Sequence, residues 1–222
     1  MNVIFDMDGV ISDSEAVYLA GYLHAAELYG LPEDDMRRAV DLATGVTDDQ
    51  ERRIMTETFG HLPQFDMDRT YKACRDYFAN VVETGQMQLK PGAKEILQYL
   101  KEQEIPVGLA SSSPRRMIDK VLQRHDVLRY FDVIVSGDMV EHGKPDPEIF
   151  LTCAAKMGIS SEGFKETYVI EDSHNGIRAA AAAGMHPIMI PDLLEVTEEM
   201  QALAETICPS LHAAIEYLTG RL

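Results

Sequence analysis

No apolar stretch in this chain approaches the ~18 residues needed to span a membrane. With 222 residues, 45% hydrophobic and 26% charged, the composition is that of an ordinary globular protein, long enough for one domain or two smaller ones. Cysteine is sparse. Cys74, Cys153 and Cys208 stand far apart, which suits neither a disulfide framework nor a zinc site, so inert thiols in a reducing cytoplasm are expected. Positive charge is scarce as well: 20 Lys and Arg face 37 Asp and Glu, for a formal charge of -17. That imbalance argues against nucleic acid as a partner. It leaves room for a small anion, because local cations or a metal can reverse the field inside one pocket. The start lacks a secretory pattern, since Asp6 and Asp8 interrupt the apolar run and no basic residue precedes it. The expectation is a cytoplasmic protein that binds neither membrane nor nucleic acid, with a monomer as the simplest oligomeric state. There is no internal repeat, and "RAAAAAG" (178–184) is simply good helix.

From Met87 onward, strands and helices alternate. "IPVGLA" (105–110), "FDVIVSG" (131–137), "ETYVIED" (166–172) and "HPIMIPD" (186–192) read as strands. "PRRMIDKVLQRHDVL" (114–128), "DPEIFLTCAAKMG" (146–158) and "NGIRAAAAAGM" (175–185) read as helices. Pro114 lies just inside its helix, and Gly158 and Gly184 close theirs. The rhythm predicts an α/β fold with a doubly wound, Rossmann-like parallel sheet. Residues 14–86 break it: three helical patterns follow one another with no strand between them. This predicts an inserted all-helical domain (14–86) within a core formed by 1–13 and 87–222, with hinges near 12–15 and 85–91.

The first strand, Val3-Ile4-Phe5, delivers Asp6 and Asp8, followed at once by Gly9. Two like charges about 4 Å apart repel by roughly 4 kcal/mol at an effective dielectric near 20, so a cation or reacting group is needed to compensate them. In parallel α/β sheets the ligand site lies beyond the carboxyl ends of the strands. The residues just past each predicted strand therefore form the candidate site: Asp6 and Asp8; Ser111, Ser112 and Ser113; Glu171 and Asp172. Lys144 joins them from a loop stiffened by Pro145 and Pro147. Asp6, Asp8, Asp172 and Glu171 converging on one hard cation would suit Mg2+, which takes few carboxylates and keeps water and phosphate oxygens in its shell. Lys144 would add a point charge and Ser111 a hydroxyl donor to hold a phosphate. An ionised aspartate can accept a phosphoryl group without an activating base, while the second aspartate works as acid and then base.

The segments "FDMDGVISDSE" (5–15), "LASSS" (109–113), "GKPDPEIF" (143–150) and "VIEDSHNGIRAAAAAG" (169–184) resemble, in order, the four motifs of the haloacid dehalogenase superfamily. The helical insert resembles its C1 cap, in the β-phosphoglucomutase-like and phosphoglycolate-phosphatase-like branch. The resemblance implies that Asp6 is the nucleophile and a magnesium ligand, and that Asp8 is the general acid/base and binds the metal through its backbone carbonyl. It implies that Ser111 and the Ser112 backbone hold the transferring phosphoryl group and that Lys144 neutralises it. Asp172 is then a direct metal ligand and Glu171 a ligand or an organiser of the metal's water. His174 is more simply a helix-start residue.

Within the insert, Tyr18, Tyr22, Thr44 and Gly45 are candidate substrate contacts. Tyr18 and "TGVTD" (44–48) stand where a β-phosphoglucomutase carries a histidine and a basic loop, and Asp48 would repel a distal phosphate. The reading is therefore a magnesium-dependent phosphatase that hydrolyses a small phosphate monoester, a sugar or organic-acid phosphate, through an aspartyl-phosphate. The alternatives are a β-phosphoglucomutase-type isomerase and, less well matched, a phospho-accepting signalling module.

Overall fold

The computed structural model describes residues 1–43, 48–192 and 194–221, and of residues 48 and 49 only the backbone. Its chain divides into two compact units, Met1–Asp13 with Gln88–Leu222, and Ser14–Met87. The second unit is helical: α1 (Ser14–Tyr29), α2 (Glu33–Ala43), α3 (Asp48–Phe59) and α4 (Met67–Glu83). Its core joins Tyr22, Ala26, Met36, Met55, Phe59 and Cys74. The Asp66 carboxylate caps α4 by accepting the Arg69 N–H at 2.8 Å. The sequence pattern passes over α2, because only Met36, Ala39 and Val40 of its eleven residues are buried and the apolar stripe is thin. The signals that remain are Pro32 before it and the acidic first turn of Glu33, Asp34 and Asp35, favourable at a helix amino end.

The first unit holds β1 (Asn2–Phe5), α5 (Ala93–Glu102), β2 (Val107–Ser111), α6 (Arg115–Arg124), β3 (Val133–Ser136), α7 (Glu148–Lys156), β4 (Thr167–Glu171), α8 (His174–Ala182), β5 (His186–Met189), α9 (Glu198–Leu203), β6 (Thr206–Ile207) and α10 (Leu211–Thr219). The strands form one parallel, doubly wound sheet in the order β3-β2-β1-β4-β5-β6. Its middle strands are continuous apolar runs, as a sheet covered on both faces requires; β2 is buried along its whole length. Ile4, Ala110, Val135, Phe150, Val169 and Ala179 meet in the main core, where α7 and α8 pack.

Several boundaries differ from the sequence expectation. Pro114 is the N-cap of α6 rather than its first turn, and the helix stops at Arg124, ahead of Asp126, whose φ is 59°. A 3₁₀ turn, Leu128–Tyr130, follows. The two-residue edge strand β6 is too short to leave a periodic signal. The three cysteines are buried and unpaired. Burial pushes the thiols of Cys74 and Cys153 up to about 12, consistent with inert groups. Among the described residues no helix is long and apolar enough to cross a membrane.

Where the chain passes between units, residues 11–13 run antiparallel to 88–90. The Asp13 N–H donates to Gln88 O and the Lys90 N–H to Ile11 O, each at 2.9 Å, and Ser12 bridges Leu89. The Lys90 ammonium pairs with Asp192 at 2.7 Å and lies 3.7 Å from Asp13.

Candidate active site

The topology itself nominates a crevice. After β1 the chain builds β2 and β3 on one side, then returns to build β4, β5 and β6 on the other. The order reverses between β1 and β4, the place where ligands bind in open α/β sheets. Asp6 leaves β1 there, its N–H donating to Ile170 O at 2.9 Å, which holds it beside the end of β4. Glu171 ends β4 and Asp172 follows. Carboxylate oxygens of Asp6, Glu171 and Asp172 lie within 4.8 Å of one another, all three residues buried.

The turn after Asp6 is tightly wound. The Met7 carbonyl accepts the N–H groups of Ile11 and Ser12, both at 2.8 Å. Gly9 has φ +75°, and a Cβ placed on it would sit 2.1 Å from Asp172 Oδ2. Only a glycine serves both the left-handed turn and that close approach.

Lys144 arrives on the loop before α7, through a cis Lys144–Pro145 peptide. Its side chain is 8% exposed. Its Nζ donates to Asp6 Oδ1 at 2.5 Å, Glu171 Oε1 at 2.7 Å and Ala110 O at 3.3 Å, so all three ammonium protons are engaged. The loop is braced from α7: Glu148 accepts the N–H groups of Glu141 at 3.0 Å and His142 at 2.8 Å. Those two bonds hold the Glu148 carboxyl below the usual carboxylate range. Glu171 is fixed from its other oxygen, where Oε2 accepts from Ser173 N at 2.7 Å and Ser173 Oγ at 2.9 Å. Ser173 also caps α8 by accepting the Gly176 N–H at 3.0 Å.

One ammonium thus serves a cluster of acids. Burial raises the Asp6 pKa, to about 8; the charges of Glu171 and Asp8 push the same way, against the pull of Lys144. Burial would by itself lower the Lys144 pKa, but Asp6 and Glu171 outweigh it and drive it up. The cluster has more negative charge than its one cation balances. A hard divalent cation fits it: the donors are carboxylate oxygens, already gathered within 4.8 Å of one another.

Asp8, half-buried, faces another way. Its Oδ2 accepts from Ser111 Oγ at 3.1 Å and Ser113 Oγ at 2.7 Å, and its carboxylate is not in the three-acid cluster. Ser111 is buried at the end of β2, while Ser112 next to it is exposed.

The residues expected in the insert fare differently. Tyr18, on α1, packs its ring on Phe78 with centroids 4.5 Å apart. Tyr22 is buried in the helical core and donates its hydroxyl to Glu51, so it serves that unit's packing rather than a ligand. Thr44 and Gly45 lie outside the described residues, as does the side chain of Asp48. His174 begins α8 and bonds Glu195 O at 2.9 Å. The sequence pattern places Ser113 in the candidate site without a role of its own, and passes over Ser173 and Glu148. Ser173 and Glu148 carry N-terminal helix signals, but nothing marks the partners they hold.

The profile of haloacid dehalogenase-like hydrolases matches residues 1–184. The chain is 36% identical over 190 residues to a phosphorylated carbohydrates phosphatase of Thermotoga maritima, covering 84% of this chain and 82% of that protein. It is 32% identical to the beta-phosphoglucomutase of Bacillus subtilis, over 84% and 81% of the two chains. A solved structure from Thermotoga maritima, provisionally described as a beta-phosphoglucomutase, superimposes with a TM-score of 0.80 at 31% identity over the full length of both chains. By sequence and by fold, the chain is an enzyme of the haloacid dehalogenase-like hydrolase family.

Proposed function

We propose that this enzyme is a magnesium-dependent phosphatase for small phosphate monoesters, phosphorylated carbohydrates foremost, working through an aspartyl-phosphate on Asp6. The observation that carries the reading is the meeting of Asp6, Lys144, Glu171 and Asp172 in one buried cup, with Asp8 and Ser111 in mutual contact on the neighbouring strand ends. The name of the Thermotoga maritima relative supports the carbohydrate class.

In this reading Asp6, Asp172 and the Asp8 backbone carbonyl would hold the ion, and Glu171 would order its water. A bound divalent ion would supply positive charge that favours ionised Asp6 and offsets the charge of the phosphoryl oxygens. Asp6 forms a bond to phosphorus as the bond from phosphorus to the leaving oxygen breaks, and Asp8 gives its proton to that oxygen. Water then attacks phosphorus, Asp8 takes the proton, and Asp6 is released as a carboxylate with inorganic phosphate. Lys144 and Ser111 neutralise and hold the phosphoryl oxygens through both steps. The helical unit, inserted directly after the first strand, acts as the substrate-selecting cap, with Tyr18, Thr44 and Gly45 as candidate contacts.

The test is phosphate release from a panel of sugar and organic-acid phosphates, with and without Mg2+. The expected result is multiple turnover that requires the metal and disappears in Asp6→Asn. Isomerisation of β-glucose 1-phosphate without phosphate release would replace the hydrolase by the mutase that the Bacillus subtilis relative represents. A single phosphorylation without turnover would indicate a signalling module.

A further inference from the structure

Ser113 has no role in the proposed cycle, yet its hydroxyl makes the shorter of the two side-chain bonds to Asp8 Oδ2, 2.7 Å against 3.1 Å from Ser111. Its N–H donates to Ser111 Oγ at 3.0 Å, closing a three-membered network. The backbone here is anchored to the end of β3, where the Gly137 N–H donates to Ser113 O at 3.2 Å and the Arg115 N–H to Asp138 Oδ1 at 3.3 Å. A Cβ on Gly137 would come within 2.2 Å of Ser112 O, so this loop is packed backbone on backbone.

A serine hydroxyl has a single proton to donate. Ser111 spends it on Asp8, so a phosphoryl oxygen bound at Ser111 takes that proton and ends the bond to Asp8. Ser113 is not called on to do both. We infer that Ser113 is the positioning residue of the general acid: it alone retains Asp8 Oδ2 once substrate is bound, and so leaves Oδ1 as the oxygen that carries the proton to the leaving group. The hand-over at Ser111 couples arrival of the phosphoryl group to this single-anchor state. As the bond from phosphorus to the leaving oxygen breaks, the proton on Oδ1 passes to that oxygen, and Asp8 is left as a carboxylate still held by Ser113.

This inference rests on the phosphatase reading, and its test separates the two. Loss of acid placement matters where the leaving group is an alkoxide, which needs the proton, and little where it is p-nitrophenolate, which is stable without one. We therefore compare kcat/KM for an alkyl phosphate, such as glucose 6-phosphate, with that for p-nitrophenyl phosphate. Since a misplaced catalytic group costs up to about 100-fold, Ser113→Ala is expected to lower the alkyl value by roughly 10- to 100-fold. The p-nitrophenyl value should stay within about 3-fold, because acid catalysis contributes little there. Ser113→Thr, which keeps the hydroxyl, should restore the alkyl rate. If both esters fall together, or neither falls, Ser113 does not position the acid, although the phosphatase reading stands. The alkyl ester is the best substrate of the panel used to test the phosphatase reading; if the wild-type protein releases phosphate from no ester of that panel, the reading fails and this inference with it. Should Ser113→Ala not fold, Ser113→Cys keeps the volume and weakens the donor. The same two esters then decide: a selective alkyl loss supports the positioning role, and a joint loss or none overturns it.

Discussion

Replacing Gly176 by alanine sets two physical effects against each other. Gly176 is the third residue of α8, and helix propensity alone predicts that alanine there stabilises by about 0.8–1 kcal/mol. The structure predicts the opposite sign. A Cβ on Gly176 would lie 1.7 Å from Glu171 Oε1 and 1.8 Å from its Cδ, so the Glu171 carboxylate has to leave its place. That carboxylate is 1% exposed and pairs with Lys144 at 2.7 Å, and its other oxygen accepts two bonds from Ser173. Disrupting a buried ion pair costs about 3–5 kcal/mol. Subtracting a helix gain of about 1 leaves a net loss of about 2–4 kcal/mol. At roughly 2–4 °C per kcal/mol for a chain of this size, calorimetric unfolding should show Tm lower by about 4–16 °C, with activity reduced because Lys144 loses a partner. An unchanged or raised Tm for Gly176→Ala would refute the placement of Glu171.

Because the Asp6 pKa is raised from 3.8 to about 8 in the metal-free fold, the folded state holds a proton there that the unfolded chain has lost. Its contribution to stability therefore declines as pH rises from about 4 to 8. Thermal unfolding across that range should show the decline without Mg2+ and a smaller one with it; a flat metal-free profile would count against the crowded cluster. Mg2+ at 100 times its Kd should stabilise the fold by about 2.7 kcal/mol and so raise Tm by about 5–11 °C, and Asp172→Asn should abolish the rise. Lys144→Met should lower kcat about 10²–10³-fold, the usual loss for a charge-stabilising donor, and Lys144→Arg should not restore it, since a planar fork cannot reproduce a three-way ammonium contact.

What the sequence made visible, and what it hid, divides along a physical line. The sheet was legible because buried parallel strands are short apolar runs, and the acids were legible because they stand directly after those runs: Asp6 after Val3-Ile4-Phe5, Glu171 and Asp172 after Tyr168-Val169-Ile170. α2 was hidden because its buried stripe is three residues wide, and β6 because it has two residues. The supporting hydrogen bonds were harder still. Ser113 meets Asp8 across 105 positions of chain and Lys144 meets Asp6 across 138, and no local pattern records a partner at that distance. Asp8 shows the limit well. Its place beside Asp6 in sequence implied a shared ion, yet its carboxylate turns to the β2 loop, leaving only its backbone carbonyl as a candidate donor. Tyr22 shows it too, since an aromatic within a helix gives no sign whether it faces a ligand or, as here, Glu51 and the helical core.

The central claim is that Asp6 accepts the phosphoryl group. The most direct measurement is acid quenching of the enzyme during turnover of a sugar phosphate with Mg2+, followed by peptide mass spectrometry. The expected result is a phosphoryl group on the amino-terminal peptide, localised to Asp6 and absent from Asp6→Asn. Phosphate turnover with an unmodified Asp6, or with the label on another residue, would contradict it.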